Sequence, residues 1–264
     1  FSRKTGWTSE WLKRATPADF AKKALVIEVD YMKRILDEIK FAIFNDDNYT
    51  YKDWLVDNTS LAVKAFLNAD GANIPTAPDG TTFDGSSHNH YHGTSGASLA
   101  YGDIDTLITD VVEHGLSGIA LFINYADVST LSGLTDTKFV AVTHSVLVPA
   151  SSSVATVVRD DPANDDRNNK LVGYWDGVPV YTKPYVPDNY IVCIALGARE
   201  KPLVYRVDVQ ESLRGLIPEV EYGLHPVTAK EFSAYYGFGA WNRAAVAVLD
   251  TANQTTYTEP TLVR

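Results

Sequence analysis

The chain has 264 residues, of which 45% are hydrophobic and 21% charged, and a formal net charge of -10. A chain of this length removes roughly three quarters of its unfolded surface from water, so its core needs no disulfide or metal staple, and the composition excludes intrinsic disorder. The acidic balance, without a basic patch, argues against a protein that grips nucleic acid through phosphate contacts. No apolar run approaches the roughly 20 residues needed to cross a bilayer, and the segment from Phe1 to Trp7 has no apolar stretch like that of a secretory signal. The single cysteine, Cys193, excludes an intrachain disulfide, and its place in the apolar run from Tyr190 to Leu196 predicts a buried, inert thiol.

In chain order, residues 1–16 carry scattered charge, Trp7 and Trp11 but no sustained periodicity, and they read as an extended arm that needs another surface to settle on. Thr16-Pro17-Ala18-Asp19 predicts a helix start with Pro at the first helical position, and Met32, Ile35, Leu36, Ile39 and Ile43 keep helical spacing until Asn45-Asp46-Asp47-Asn48. Tyr49 to Leu67 has both strand-like and helix-like patches. Asn68 to Gly96 is dense in Gly, Pro, Asn, Asp, Ser and His with few apolar anchors, which predicts a projecting loop that the core does not need. A second helix follows Gly102-Asp103, with Ile104, Leu107, Ile108, Val111 and Val112 on one face and a stop at His114-Gly115.

The short apolar run from Ile119 to Ile123 predicts a buried strand, followed by a short helix through Val128 and Leu131. From Phe139 the pattern turns to β, with segments 139–148, 153–158, 178–181 and 191–196 rich in Val, Ile, Tyr and Thr, and a polar excursion over 160–170. The last third repeats this over 203–209, 219–222, 232–236 and 244–249. The fold class is therefore α+β.

The order of arm, helix, polar loop, helix, apolar strand and β-rich body resembles that of the major capsid proteins of tailed bacteriophages, the Hong Kong 97 phage fold shared with encapsulin shells. Local segments carry the same resemblance: Gly177-Val178-Pro179-Val180 followed by Pro184-Tyr185-Val186-Pro187-Asp188-Asn189-Tyr190, then Tyr235-Tyr236-Gly237-Phe238-Gly239-Ala240-Trp241-Asn242-Arg243-Ala244-Ala245, and more weakly Ser87-His88-Asn89-His90-Tyr91. The resemblance implies an N-terminal arm and helix over 1–45 and an extended loop over 46–98. It implies a peripheral-domain spine helix and strand over 99–137, an axial domain over 138–200, and remaining axial strands with the peripheral sheet over 201–264.

The function so implied is that of a structural subunit, not an enzyme, self-assembling as pentamers and hexamers into an icosahedral capsid around double-stranded DNA. The implied location is the virion, assembled in the bacterial host cytoplasm. Portal, scaffolding, maturation protease and decoration proteins are the implied partners, with no cofactor, no membrane and no sequence-specific DNA contact. The numbered chain starts at Phe1 and its only methionine is Met32, which the family's removal of a leading scaffolding segment would explain. An encapsulin-type compartment shell is the alternative reading. Family analogy also raises a cross-link between Lys52 or Lys64 and Asn242, which would need near-attack geometry.

The chemical rival is His88-Asn89-His90-Tyr91-His92, because three imidazoles at alternate positions of a strand project to one face and could serve a metal-dependent hydrolase. The blander reading is a polar loop whose histidines bond to neighbours. The Gly93-Thr94-Ser95-Gly96 segment only imitates a nucleophile elbow. Asp160, Asp161, Asp165 and Asp166 lack calcium-loop spacing and read as a solvated loop. Phosphate-loop and dinucleotide fingerprints are absent from the sequence.

Overall fold

The computed structural model describes residues 1–53, 58–96, 98–134, 138–142, 169–224, 227–252 and 255–262. The β-segment expected over 153–158, the acidic excursion up to residue 168 and the end of 139–148 lie outside the described residues.

The centre is a mixed seven-stranded sheet ordered β4-β14-β9-β5-β8-β7-β6, made of β4 (Tyr91–His92), β5 (Ile119–Ile123), β6 (Phe139–Ala141), β7 (Leu171–Trp175), β8 (Val178–Thr182), β9 (Tyr190–Ala195) and β14 (Val246–Asp250). The apolar runs seen in the sequence occupy its middle. Alternate side chains of a strand face opposite sides, and here both sides are buried. Leu121, Ile123, Ile191, Cys193, Ala247 and Leu249 face one core, while Phe122, Tyr190, Val192, Ile194, Val246 and Val248 face the other. Burial raises the Cys193 thiol pKa, in keeping with an inert thiol. Between β7 and β8, Asp176 and Gly177 both have positive φ, 45° and 84°, the two-residue hairpin that Asp-Gly favours.

Helix α3 (Tyr101–Val112) covers the first core with Ile104, Leu107 and Val111. Its start is fixed by the buried Asp103 carboxylate, which accepts from the Ala100 N–H at 2.8 Å and the Ser95 N–H at 2.9 Å. It ends where Gly115 adopts φ 74°. Helix α4 (Val128–Ser132) adds Leu131 to the same side.

The second core is covered by Ile43 and Phe44, the last turn of the 28-residue helix α2 (Pro17–Phe44), together with Phe66, Tyr91 and Val186. Asp19 accepts from both the N–H and the hydroxyl of Thr16 and so anchors the predicted start of α2. The rest of α2 lies along smaller β-units. These are the hairpin of β2 (Tyr49–Asp53) with β3 (Thr59–Val63), the pair of β10 (Leu203–Val207) with β13 (Tyr236–Ala240), and the ribbon of β1 (Ser2–Thr8), β12 (Val227–Ser233) and β11 (Ile217–Leu224).

Two expectations change. The arm is not loose: Ser2–Thr8 pairs in register with Val227–Ser233 of its own chain, and the four-residue helix α1 (Ser9–Leu12) follows. Segment 68–96 does not project wholly outward, because Ile74, Ala77, His90, Tyr91 and Thr94 are buried and β4 runs parallel to β14. Its apolar anchors are few but well placed, so the core does need it. Helix α3 packs on β9 and β14 of the seven-stranded sheet.

Two-sided burial makes the central strands intolerant of truncation. Leu121→Ala is expected to lose about 2–5 kcal/mol of stability, whereas Val140→Ala on the exposed edge strand β6 should stay within about 0.5 kcal/mol; urea unfolding followed by circular dichroism checks both.

Candidate functional site

Two features of the surface and two of the interior stand out. Helix α2 buries Ile27, Tyr31, Glu38 and Ala42 on one face, yet Leu25, Val29, Met32 and Leu36, spaced at helical intervals, form a second apolar stripe that is exposed, Leu25 at 57% and Met32 at 53%. The helix is therefore apolar on two faces, and among the described residues only one is covered. Beside its N-terminal half, Trp7, Trp11 and Phe20 pack with ring centroids 5.1–6.2 Å apart. Lys23 lies 4.4 Å over the Trp11 ring and donates to the Gly6 carbonyl at 2.8 Å, holding the arm against α2. The ribbon β1-β12-β11 presents mostly exposed or half-buried side chains and has β1 and β11 as its edges.

The polar segment is fastened at its start by Arg243, one of the residues of the closing motif. Its guanidinium donates to the carbonyls of Ala65 and Phe66 at 2.6 and 3.1 Å and to Asn68 Oδ1 at 2.9 Å, and it pairs with Asp70 at 3.3 Å. Asp70 also accepts from Lys64, Asn48 and the Ala72 N–H. Burial would raise the Asp70 pKa, but these donors outweigh it and hold the carboxyl well below the usual carboxylate range. Lys64 is thus engaged by Asp70, and Asn242, the other residue of the raised cross-link, donates to the Glu200 carbonyl at 3.5 Å.

At the far end of the same segment lie the histidines. His88 and His90 converge on His114, whose Nε2 is 3.0 Å from that of His88 and 3.3 Å from that of His90. His92 does not join them: its Nε2 meets Asp110 Oδ2 at 2.6 Å. The rival trio of His88, His90 and His92 is therefore not assembled, and a cluster with His114 stands in its place. The reason is that His92 belongs to β4 beside α3, whereas His114 closes the helix and turns back onto the loop. In the sequence His114 reads only as part of a helix stop, and its distance of 24 residues from His90 leaves no local signal.

Burial pushes His90 down to about 3 and His114 down to about 4, and it lowers His88 as well, so all three rings are neutral at pH 7. Phe83 packs on His88 and His114 at 4.8 and 4.3 Å. Thr94 and Ser95 of the elbow-like segment serve the turn before α3, Thr94 donating to the Gly96 carbonyl. Asp160, Asp161, Asp165 and Asp166 lie outside the described residues.

No protein-family model matches the chain, and no curated protein does. Solved structures do. One from Mycobacterium phage Patience aligns with a TM-score of 0.74 over 98% of this chain and 72% of its own, at 16% identity. The holo-SrpI encapsulin complex from Synechococcus elongatus PCC 7942 aligns with a TM-score of 0.51 over 99% and 76%, at 15% identity. The mature capsid of bacteriophage PhiM1 aligns with a TM-score of 0.50 over 95% and 70%, at 13% identity. The chain has the Hong Kong 97-like capsid fold, an α+β architecture seen in phage capsids and encapsulins alike.

The Arg243 clasp has a pH signature. Folding lowers the Asp70 pKa below its unfolded value of about 3.9, so the stability it supplies is complete well above that pH and is lost as pH falls toward the folded value. Asp70→Asn is expected to lose about 1–3 kcal/mol at pH 7 and to show a shallower acid limb between about pH 5 and 2 than the parent, read from thermal unfolding across pH.

Proposed function

We propose that the chain is a structural subunit that self-assembles into a closed icosahedral shell, the capsid enclosing the double-stranded DNA of a tailed phage. The observation that carries this reading is the exposed stripe of Leu25, Val29, Met32 and Leu36 on α2; in the proposed shell a second copy of the chain covers it. The fold supports it, as does the β1-β12-β11 ribbon, whose two edge strands are unpaired among the described residues and can meet neighbours. In a closed shell each contact is modest and symmetry multiplies it. The acidic balance suits a wall along which packaged DNA slides without adhering.

In this reading the spine role passes from α3 to α2. The elongated units around α2 form the peripheral part, and the seven-stranded sheet with α3 forms the axial part that meets at the centres of pentamers and hexamers. Its role in the virion is architectural, with assembly in the host cytoplasm and with scaffolding, protease, portal and decoration proteins as its partners. An encapsulin-type compartment has the same fold, and the likeness to SrpI, with its TM-score of 0.51, favours it as the second reading. The particle's contents separate the two: packaged DNA for a capsid, cargo protein for a compartment.

The double substitution Leu25→Asp with Met32→Asp places two charges in the proposed contact and leaves both cores untouched. Negative-stain microscopy and sedimentation are expected to show closed particles for the parent and dispersed, folded subunits for the variant. Intact shells from the variant would refute the role of α2.

A further inference from the structure

The three imidazoles meet in a way that hydrogen bonding cannot satisfy. Their Nε2 atoms form a nearly equilateral triangle, with His88 to His90 at 3.1 Å, His88 to His114 at 3.0 Å and His90 to His114 at 3.3 Å. A ring nitrogen is either a donor or an acceptor. Three atoms in mutual contact cannot all be paired with their opposite, so at least one contact sets two lone pairs or two N–H groups against each other. Protonating a ring does not help, because its Nε2 then simply becomes a donor.

The assignment at His90 is fixed further. Its Nδ1 lies 2.8 Å from the Val246 carbonyl oxygen, which can only accept, so Nδ1 holds the proton and Nε2 presents its lone pair to the centre of the triangle. This is the outer hydrogen bond that a metal-binding histidine ordinarily makes. His90 is fully buried, which leaves that lone pair no bulk water.

We propose that His88, His90 and His114 together bind one divalent transition-metal ion of the zinc class through their Nε2 atoms. An ion held tetrahedrally at about 2.0–2.1 Å from nitrogen sets its ligands about 3.3–3.4 Å apart, and the observed edges need to open by only a few tenths of an ångström. All three nitrogens then act as acceptors toward the cation, and the conflict in the triangle disappears. The donor set is purely imidazole, which suits zinc and its neighbours over magnesium or calcium. Glu113, with Oε1 3.5 Å from His88 Nε2, and Asp110, paired to His92, bring negative charge to the dication, while the Phe83 ring shields one side.

The ligands come from two stretches that meet only on folding, the polar loop and the end of α3. Bound metal is therefore a clasp that fastens the loop to the helix, and its binding energy is folding energy. The site is internal to one subunit and stands independently of the shell reading.

The test uses the full chain, stripped with a chelator and then given zinc or cobalt(II) alone. Expected are one ion per chain by elemental analysis, the intense visible absorption of tetrahedral cobalt, and a rise in Tm with zinc. His88→Gln combined with His114→Gln should abolish all three, and His92→Gln should keep them. Failure of the parent chain to take up either ion overturns the proposal, as does uptake that survives the double substitution. Circular dichroism of the double variant shows that its fold persists, and the parent's own uptake decides the matter where it does not.

Discussion

The constraint on which the structure rests is that β9 and β14 are buried on both faces from end to end. A strand of alternating side chains with no polar face cannot sit at a surface, so it needs two separate covers. Helix α3 is one, spaced by its own helical periodicity. The other is assembled from the last turn of α2, Phe66, Tyr91 and Val186, which are far apart in the chain. Because Tyr91 belongs to that second cover, the polar segment before it must return to the body, and the route of the chain from residue 66 to residue 92 follows from this need.

A segment so poor in apolar residues cannot be held by hydrophobic burial along its length. It is held instead by polar fastenings at its two ends, the Arg243 and Asp70 network at the start and the hydrogen bond from His90 to the Val246 carbonyl at the finish. Both reach to β14 or the turn just before it: Arg243 precedes the strand, and Val246, whose carbonyl accepts from His90, opens it. Strand β14, buried on both faces and next to the short edge strand β4, is thus also the mast to which the loop is tied.

Helix α2 joins the interior to the surface. Its last turn contributes Ile43 and Phe44 to the second core, while its middle carries the apolar stripe that faces outward. A shift of this helix driven by contact with a neighbour would be felt directly in the core, because packed interiors transmit displacement rather than absorb it. The arm shares in this, since β1 is paired to β12 and Arg3 bonds Asp30 of α2 at 2.9 Å.

By itself the sequence determined the two main helices and the central apolar strands and, through the order of elements and the segments around Gly177 and Asn242, the capsid fold; the expected strand over 232–236 instead straddles the end of β12 and the start of β13. Helical spacing marked α2 and α3, and continuous apolar runs marked β5 and β9, because these signals arise between residues a few positions apart. Tertiary structure alone decided which strands share a sheet, that the arm docks on its own chain, and that the polar segment enters the core. It also decided that His114, not His92, completes the histidine trio. Each of these depends on contacts between residues 24 to more than 200 positions apart, set by which faces remain to be covered, and periodicity within a short window holds no record of that.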